Sequence, residues 1–291
     1  MVSHFPRMKA RHFLGLVLLL PLAAAQTSET LVERTLRQLL ERQHELFADA
    51  ARQGDKLDLR AFQTQAQTLV FDYEVFLRNN PDNATGYAAY GRLLGRVGMD
   101  QQAVLILLKA EQLDPKNPMV KNQLGNHLAE AGKPREAMPF FLAAIELAPD
   151  QPLYHYQLGT LLAEARDDFL ESGEWTREAL DQAMLAAFTR AAELAPDRIE
   201  FTYRRAEAYY DLEKPDWDAA LKAWATLEEQ AENGVERETM RLHAANILIK
   251  QGKIDHARLV LALVTEPALA AHKEKLVAEL AGADNKQDHS P

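Results

Sequence analysis

Between residues 84 and 151 the apolar positions recur in a pattern that predicts helices in antiparallel pairs. Leu124 and Leu128 fall four apart, and Ala137, Phe141 and Ala144 follow at spacings of four and three, as on one helix face. Pro118 stands where a helix start tolerates a missing N–H, so a first helix is read from Pro118 to Ala131. Gly132 ends it, because glycine adopts the left-handed conformation of a helix stop at no steric cost. A second helix runs from Pro134 to Leu147, and Pro149 blocks its continuation. In this register Gly125 faces Ala137 and Ala144, letting the two backbones approach, while Leu124, Leu128 and Phe141 fill the space around the contact. One such pair cannot bury its apolar face alone, so neighbouring pairs must stack.

The pattern repeats at a fixed step. Gly91, Gly125 and Gly159 are 34 residues apart, as are Pro81, Pro115 and Pro149, and Leu94, Leu128 and Leu162. Ala103 and Ala137 keep the step, so do Ala110 and Ala144, and Leu107 is answered by Phe141. These units resemble tetratricopeptide repeats, a helix–turn–helix family marked by a glycine in the first helix, two alanines in the second and a closing proline. The resemblance implies an all-α fold, a right-handed superhelical solenoid of helix–turn–helix repeats. Residues 84–117 and 118–151 are the strongest copies. In the third copy the closing Pro196 comes 47 residues after Pro149, an excess of 13 placed near 166–179. The expected result is a pair of longer helices joined at Ser172-Gly173 and projecting from the stack. A fourth copy at about 199–232 has Ala206 in place of the glycine, and a fifth lies at about 236–267. The array therefore spans 84–267. Residues 26–83 hold two further amphipathic helices, a degenerate repeat serving as the N-terminal cap. Residues 268–282 suit a C-terminal capping helix, and 283–291 a disordered tail.

The leading residues carry a different pattern. Arg7, Lys9 and Arg11 precede an apolar stretch from Phe13 to Leu20, and Pro21 leads to Ala23-Ala24-Ala25, so residues 1–25 read as a cleaved signal peptide. Met8 is an alternative start, and an uncleaved anchor the alternative to cleavage, although the run is shorter than the ~20 residues of a span. The expectation is export to the periplasm or the outside, with no membrane span after signal cleavage. Removal of residues 1–25 leaves 30 basic against 43 acidic residues, a net charge of −13. So acidic a chain has no electrostatic reason to bind phosphate backbones, and nucleic acid is not an expected partner.

The 291 residues include no cysteine, which excludes thiolate nucleophiles, disulfides and cysteine metal sites, and only four serines: Ser3, Ser28, Ser172 and Ser290. Ser172, in Glu-Ser-Gly-Glu-Trp, is not a nucleophile elbow. There is no H-E-x-x-H and no phosphate-binding glycine loop. His127 and His155 come from adjacent repeats and could approach each other. With no carboxylate read at ligand spacing, they count as polar surface. No catalytic residue, metal or cofactor is expected.

The family resemblance implies a concave face lined by the first helices, holding a peptide or helix of a cell-envelope protein. Carried over by repeat position, that face comprises Arg92 and Arg96, then Asn122 and Asn126, then Tyr156 and Thr160, then Tyr203 and Glu207, and finally Asn246. Amides can pair with a peptide backbone, tyrosines offer flat contact, and arginines can hold a carboxylate. Arg92 and Arg96 can equally serve only to solubilise a helix, and Tyr203 can pack on the next hairpin. Ala88 and Thr85 stand where a family carboxylate clamp needs basic residues, so that clamp is not implied. Trp175, beside Phe169 and Leu170 at the tip of the third hairpin, is either an exposed partner anchor or folds back to pin the two extended helices together. Two rival functions stay open: a self-associating structural component, and an accessory enzyme with an unrecognised site.

Overall fold

The computed structural model describes residues 29–287, and the signal-peptide reading of residues 1–25 lies outside them. Among the described residues there are fourteen α-helices and no strand. The chain enters through α1 (Leu31–Gln53), started by a capping box in which Thr30 and Glu33 satisfy each other's backbone N–H groups. Helix α2 (Leu59–Asn79) packs antiparallel to it, and the buried Tyr73 hydroxyl donates to Gln43 Oε1 at 2.7 Å between them. Three helix pairs follow: α3 (Ala84–Arg96) with α4 (Asp100–Leu113), α5 (Pro118–Glu130) with α6 (Pro134–Leu147), and α7 (Pro152–Glu164) with α9 (Arg177–Leu194). The short α8 (Arg166–Glu171) interrupts the last pair. Helices α10 (Ile199–Asp211), α11 (Trp217–Gln230), α12 (Gly234–Lys250) and α13 (Ile254–Ala262) continue the stack, and α14 (Ala270–Gln287) closes it. Consecutive helices pack on one another, and the first helices α3, α5 and α7 also touch along one side. No helix among the described residues is long and apolar enough to cross a membrane.

The turns that follow α3, α5 and α12 are built alike. At the end of α5, Gly132 takes φ +71°, its N–H donates to Ala129 O and the Lys133 N–H donates to Leu128 O, each at 2.9 Å. These bonds use carbonyls that the helix end would leave orphaned. The proline columns do separate work. Pro115 and Pro149 are exposed and follow the last residues of α4 and α6, while Ala103, Ala137 and Ala144 are fully buried.

Three expectations are corrected. First, the nearest neighbour of each first-helix glycine is a large side chain and not an alanine. A Cβ at Gly91 would lie 2.6 Å from Leu107 Cγ, one at Gly125 3.1 Å from the Phe141 ring, and one at Gly159 2.8 Å from the Phe188 ring. Each glycine is the notch for the large side chain of the partner helix, which is the nearest group to the added Cβ in all three cases. Second, the insertion does not project. Helix α7 stops at Glu164 and α8 turns back toward α6, because Phe169, 2% exposed, finds an apolar site in the cluster of Ala137, Phe141, Leu162 and Phe188. Trp175 folds edge-on against Phe169 with ring centroids 6.4 Å apart, so it is a half-buried pin and not an exposed anchor. Third, α14 does not stop at Gly282 but continues to Gln287; a solvent-exposed glycine costs a helix only about 1 kcal/mol. Residues 288–291 lie outside the described residues.

In the fourth repeat the pairing changes: α10 packs more extensively on α9, and α11 on α12, than α10 and α11 on each other. Ala206 offers no notch, and the facing column position now holds Trp224. The buried Asp181 fastens this junction, accepting from Arg177 Nε at 2.8 Å and from the Glu213 backbone N–H at 2.7 Å.

Candidate functional site

Between α5 and α7 lies an open cleft of about 560 Å³. Asn126 and Glu130 line one wall, Tyr156, Thr160 and Glu164 the other, with Asp168 of the insertion at one end and Phe141 at the floor. The charged residues of its lining are all acidic. Tyr156 is held by packing: its ring lies 5.8 Å from Phe188, edge-on, and 5.0 Å from Phe201. Thr160 spends its hydroxyl proton on Tyr156 O at 3.0 Å, which leaves its methyl and oxygen lone pair to the cleft. The surface offers amide and carboxylate acceptors beside a rigid aromatic face.

The other carried-over residues fare differently. Arg92 is exposed. Arg96 lies with its guanidinium 3.5 Å over the Phe47 ring, so it is engaged within the chain, a correction to its role as a free carboxylate holder. Asn122 is 1% exposed and cannot meet a partner; the helical register places it toward the neighbouring helices instead of the cleft. His127 and His155 do not meet. The His155 imidazole donates from Nε2 to Pro149 O at 2.7 Å, whereas His127 is buried beside Asp100 and Glu130.

Tyr203, Glu207 and Asn246 belong to a second cluster, between α10 and α12. Trp224, fully buried, stacks flat on His243 with ring centroids 3.8 Å apart. Tyr203 hydrogen-bonds His243 Nε2 at 3.2 Å, and the Tyr210 hydroxyl lies 3.4 Å from Nδ1. Tyr203 is thus a packing residue first, with its ring edge-on to Trp224. Burial pushes the Glu207 carboxyl and the Tyr203 and Tyr210 phenols up.

Burial, with a smaller contribution from the charge of His272, brings the His243 imidazole down to about 4. An unfolded chain would bind the proton near pH 6.5, so above that both states are neutral and the cluster contributes fully. As pH falls from about 6.5 to about 4 the unfolded state alone takes up the proton, and about 3 kcal/mol is lost across the window. Urea midpoints at pH 7 and pH 4.5 should therefore differ more in the wild type than in His243→Phe. Equal differences would place the acid sensitivity elsewhere.

No family model matches the sequence, and no curated protein matches it. Solved structures share the architecture. PilF of Pseudomonas aeruginosa aligns over 85% of this chain and 99% of its own at 14% identity, with a TM-score of 0.58. YrrB, a TPR protein with an unusual peptide-binding site, aligns over 70% of this chain and 97% of its own at 20% identity, with a TM-score of 0.56. The fold is that of a tetratricopeptide-repeat protein. Within this tetratricopeptide array, position in the repeat located Asn126, Tyr156 and Thr160 on one cleft. It missed Glu130, Glu164 and Asp168. The first two lie four residues beyond Asn126 and Thr160 on the same helix faces, a spacing that was available in the sequence. Asp168 had no such signal, because it reaches the cleft only when α8 folds back.

Proposed function

We propose that this tetratricopeptide-repeat protein is an exported, non-catalytic scaffold that holds a segment of a partner protein in the cleft between α5 and α7. The observation that carries the reading is the make-up of that cleft: a packed tyrosine face and the Asn126 amide ringed by Glu130, Glu164 and Asp168, with no basic residue in its lining. Such a surface favours an extended segment bearing lysine or arginine, whose backbone the amide can pair with. The shared fold with YrrB, itself a peptide-binding TPR protein, supports a peptide as the ligand class. Export to the cell envelope is supported by the basic, apolar and small-residue order of residues 1–25.

A photo-crosslinker at position 126, with a control at the exposed position 139 on α6, tests this in the source cell. We expect one partner protein from position 126 alone, and about tenfold less of it when Glu164 and Asp168 are both changed to lysine, with the helical signal unchanged. Equal products from both positions would overturn the cleft reading.

A second reading rests on the outward faces of α4 and α6, where Leu105, Leu108 and Leu142 are 67%, 45% and 49% exposed. Such a row suits self-association. A mass that rises with concentration in sedimentation, and returns to the monomer in Leu105→Lys, would support it.

A further inference from the structure

We infer that Asp100, His127 and Glu130 form a binding site for a divalent transition-metal ion of the zinc class, clipping the first repeat to the second. His127 and Glu130 lie one turn apart on α5, and Asp100 is the first residue of α4, so the site joins the turn of one repeat to the opening helix of the next. Their nearest nitrogen and oxygen atoms all fall within 4.8 Å of one another. His127 Nδ1 is 3.6 Å from Asp100 Oδ1 and 3.7 Å from Glu130 Oε2. Those separations are too long for hydrogen bonds. They match the edge of a tetrahedron around an ion bound at about 2.1 Å, which is about 3.4 Å.

The imidazole is what sets this cluster apart from ordinary surface acids. It is 8% exposed, and neither ring nitrogen has a hydrogen-bond partner. A buried histidine left so unsatisfied forgoes a stabilisation that nearly all buried polar groups obtain. An ion on Nδ1 supplies a partner for the nitrogen that faces the two carboxylates. Gly95 makes the room: a Cβ there would stand 2.9 Å from His127 Nε2 and Cε1, so only glycine lets the ring lie against the end of α3. The two carboxylates are 60% and 70% exposed at their side chains, free to swing the remaining distance and open to the solvent through which the ion arrives. One nitrogen and two carboxylates leave a fourth position for water. A nitrogen ligand favours zinc, nickel or copper over calcium and magnesium, which take oxygen. The site stands at the rim of the cleft through Glu130, but its chemistry does not depend on the peptide reading.

Calorimetric titration of ZnCl2 into chelator-treated protein tests the proposal. One zinc per chain is expected, with a matching rise in Tm. Affinity should fall at least tenfold in His127→Ala and, separately, in Glu130→Gln and Asp100→Asn. The last two change exposed side chains, so their folding is not at issue. Zinc binding of unchanged affinity in Glu130→Gln and Asp100→Asn would overturn the site, as would no binding at 100-fold excess over protein. Calcium binding of equal strength that survives His127→Ala would likewise reduce it to surface carboxylates.

Discussion

Replacing Trp224, the largest fully buried side chain among the described residues, with alanine is expected to cost about 3–5 kcal/mol. The indole is fully buried, stacks on His243 and meets the edge of Tyr203 5.1 Å away. It also fills the space between α10, α11 and α12 that Ala206, Ala220, Met240 and Ile247 surround. None of these neighbours can collapse into an indole-sized void without moving a helix. The loss should be local, because each unit of a stacked array is supported by its neighbours only. Hydrogen exchange should show protection falling in residues 199–250 while α3 to α6 keep theirs. The pH difference assigned to His243 should shrink in the same variant, since the ring that buries the imidazole is gone. A cost below about 1 kcal/mol would mean that the packing of α10 on α12 differs from the one described.

Gly91→Leu should destabilise by about 3 kcal/mol, the upper end of ordinary overpacking. The new Cβ alone would stand 2.6 Å from Leu107 Cγ and 3.4 Å from the Leu107 backbone nitrogen, so α3 and α4 must part. The alanine series separates two effects of opposite sign. Changing a helical glycine to alanine gains about 1 kcal/mol in helix propensity. At Gly125 the nearest atoms are the edge of the Phe141 ring at 3.1 Å, a few tenths of an ångström too close, so Gly125→Ala should come out within about 1 kcal/mol of wild type. At Gly91 the clash is deeper and Leu107 has no exposure into which to retreat, so Gly91→Ala should lose about 1–2 kcal/mol net. Denaturant midpoints for the pair check the ranking. The reverse order would show that the alanine columns, and not the large residues at 107 and 141, meet the glycines.

That ranking marks where sequence reasoning stopped. The 34-residue step and the glycine, alanine and proline columns located the paired helices of the array, and α6 runs from Pro134 to Leu147 as expected. The choice of which column the glycine faces was not legible, because glycine, alanine and a large residue all sit on the apolar stripe. Only the rotation of one helix against the other separates them. The same gap explains Asn122 and Asn126. Both occupy polar positions on α5, yet one is buried and the other lines the cleft.

The repeat period and the stop signals together specified an all-helical stack, and the missing cysteines excluded thiolate chemistry, since each depends on local backbone preference or on composition, and both are written residue by residue. The insertion, the cleft and the histidine site depend on contacts between residues distant in sequence. Phe169 folds α8 inward because an apolar site opens near Ala137, and the fold brings Asp168 to the cleft with it. Asp100 reaches His127 because the second repeat stacks on the turn of the first at one particular angle. Burial at such junctions is a property of the assembled stack, and no single helix contains the information that sets it.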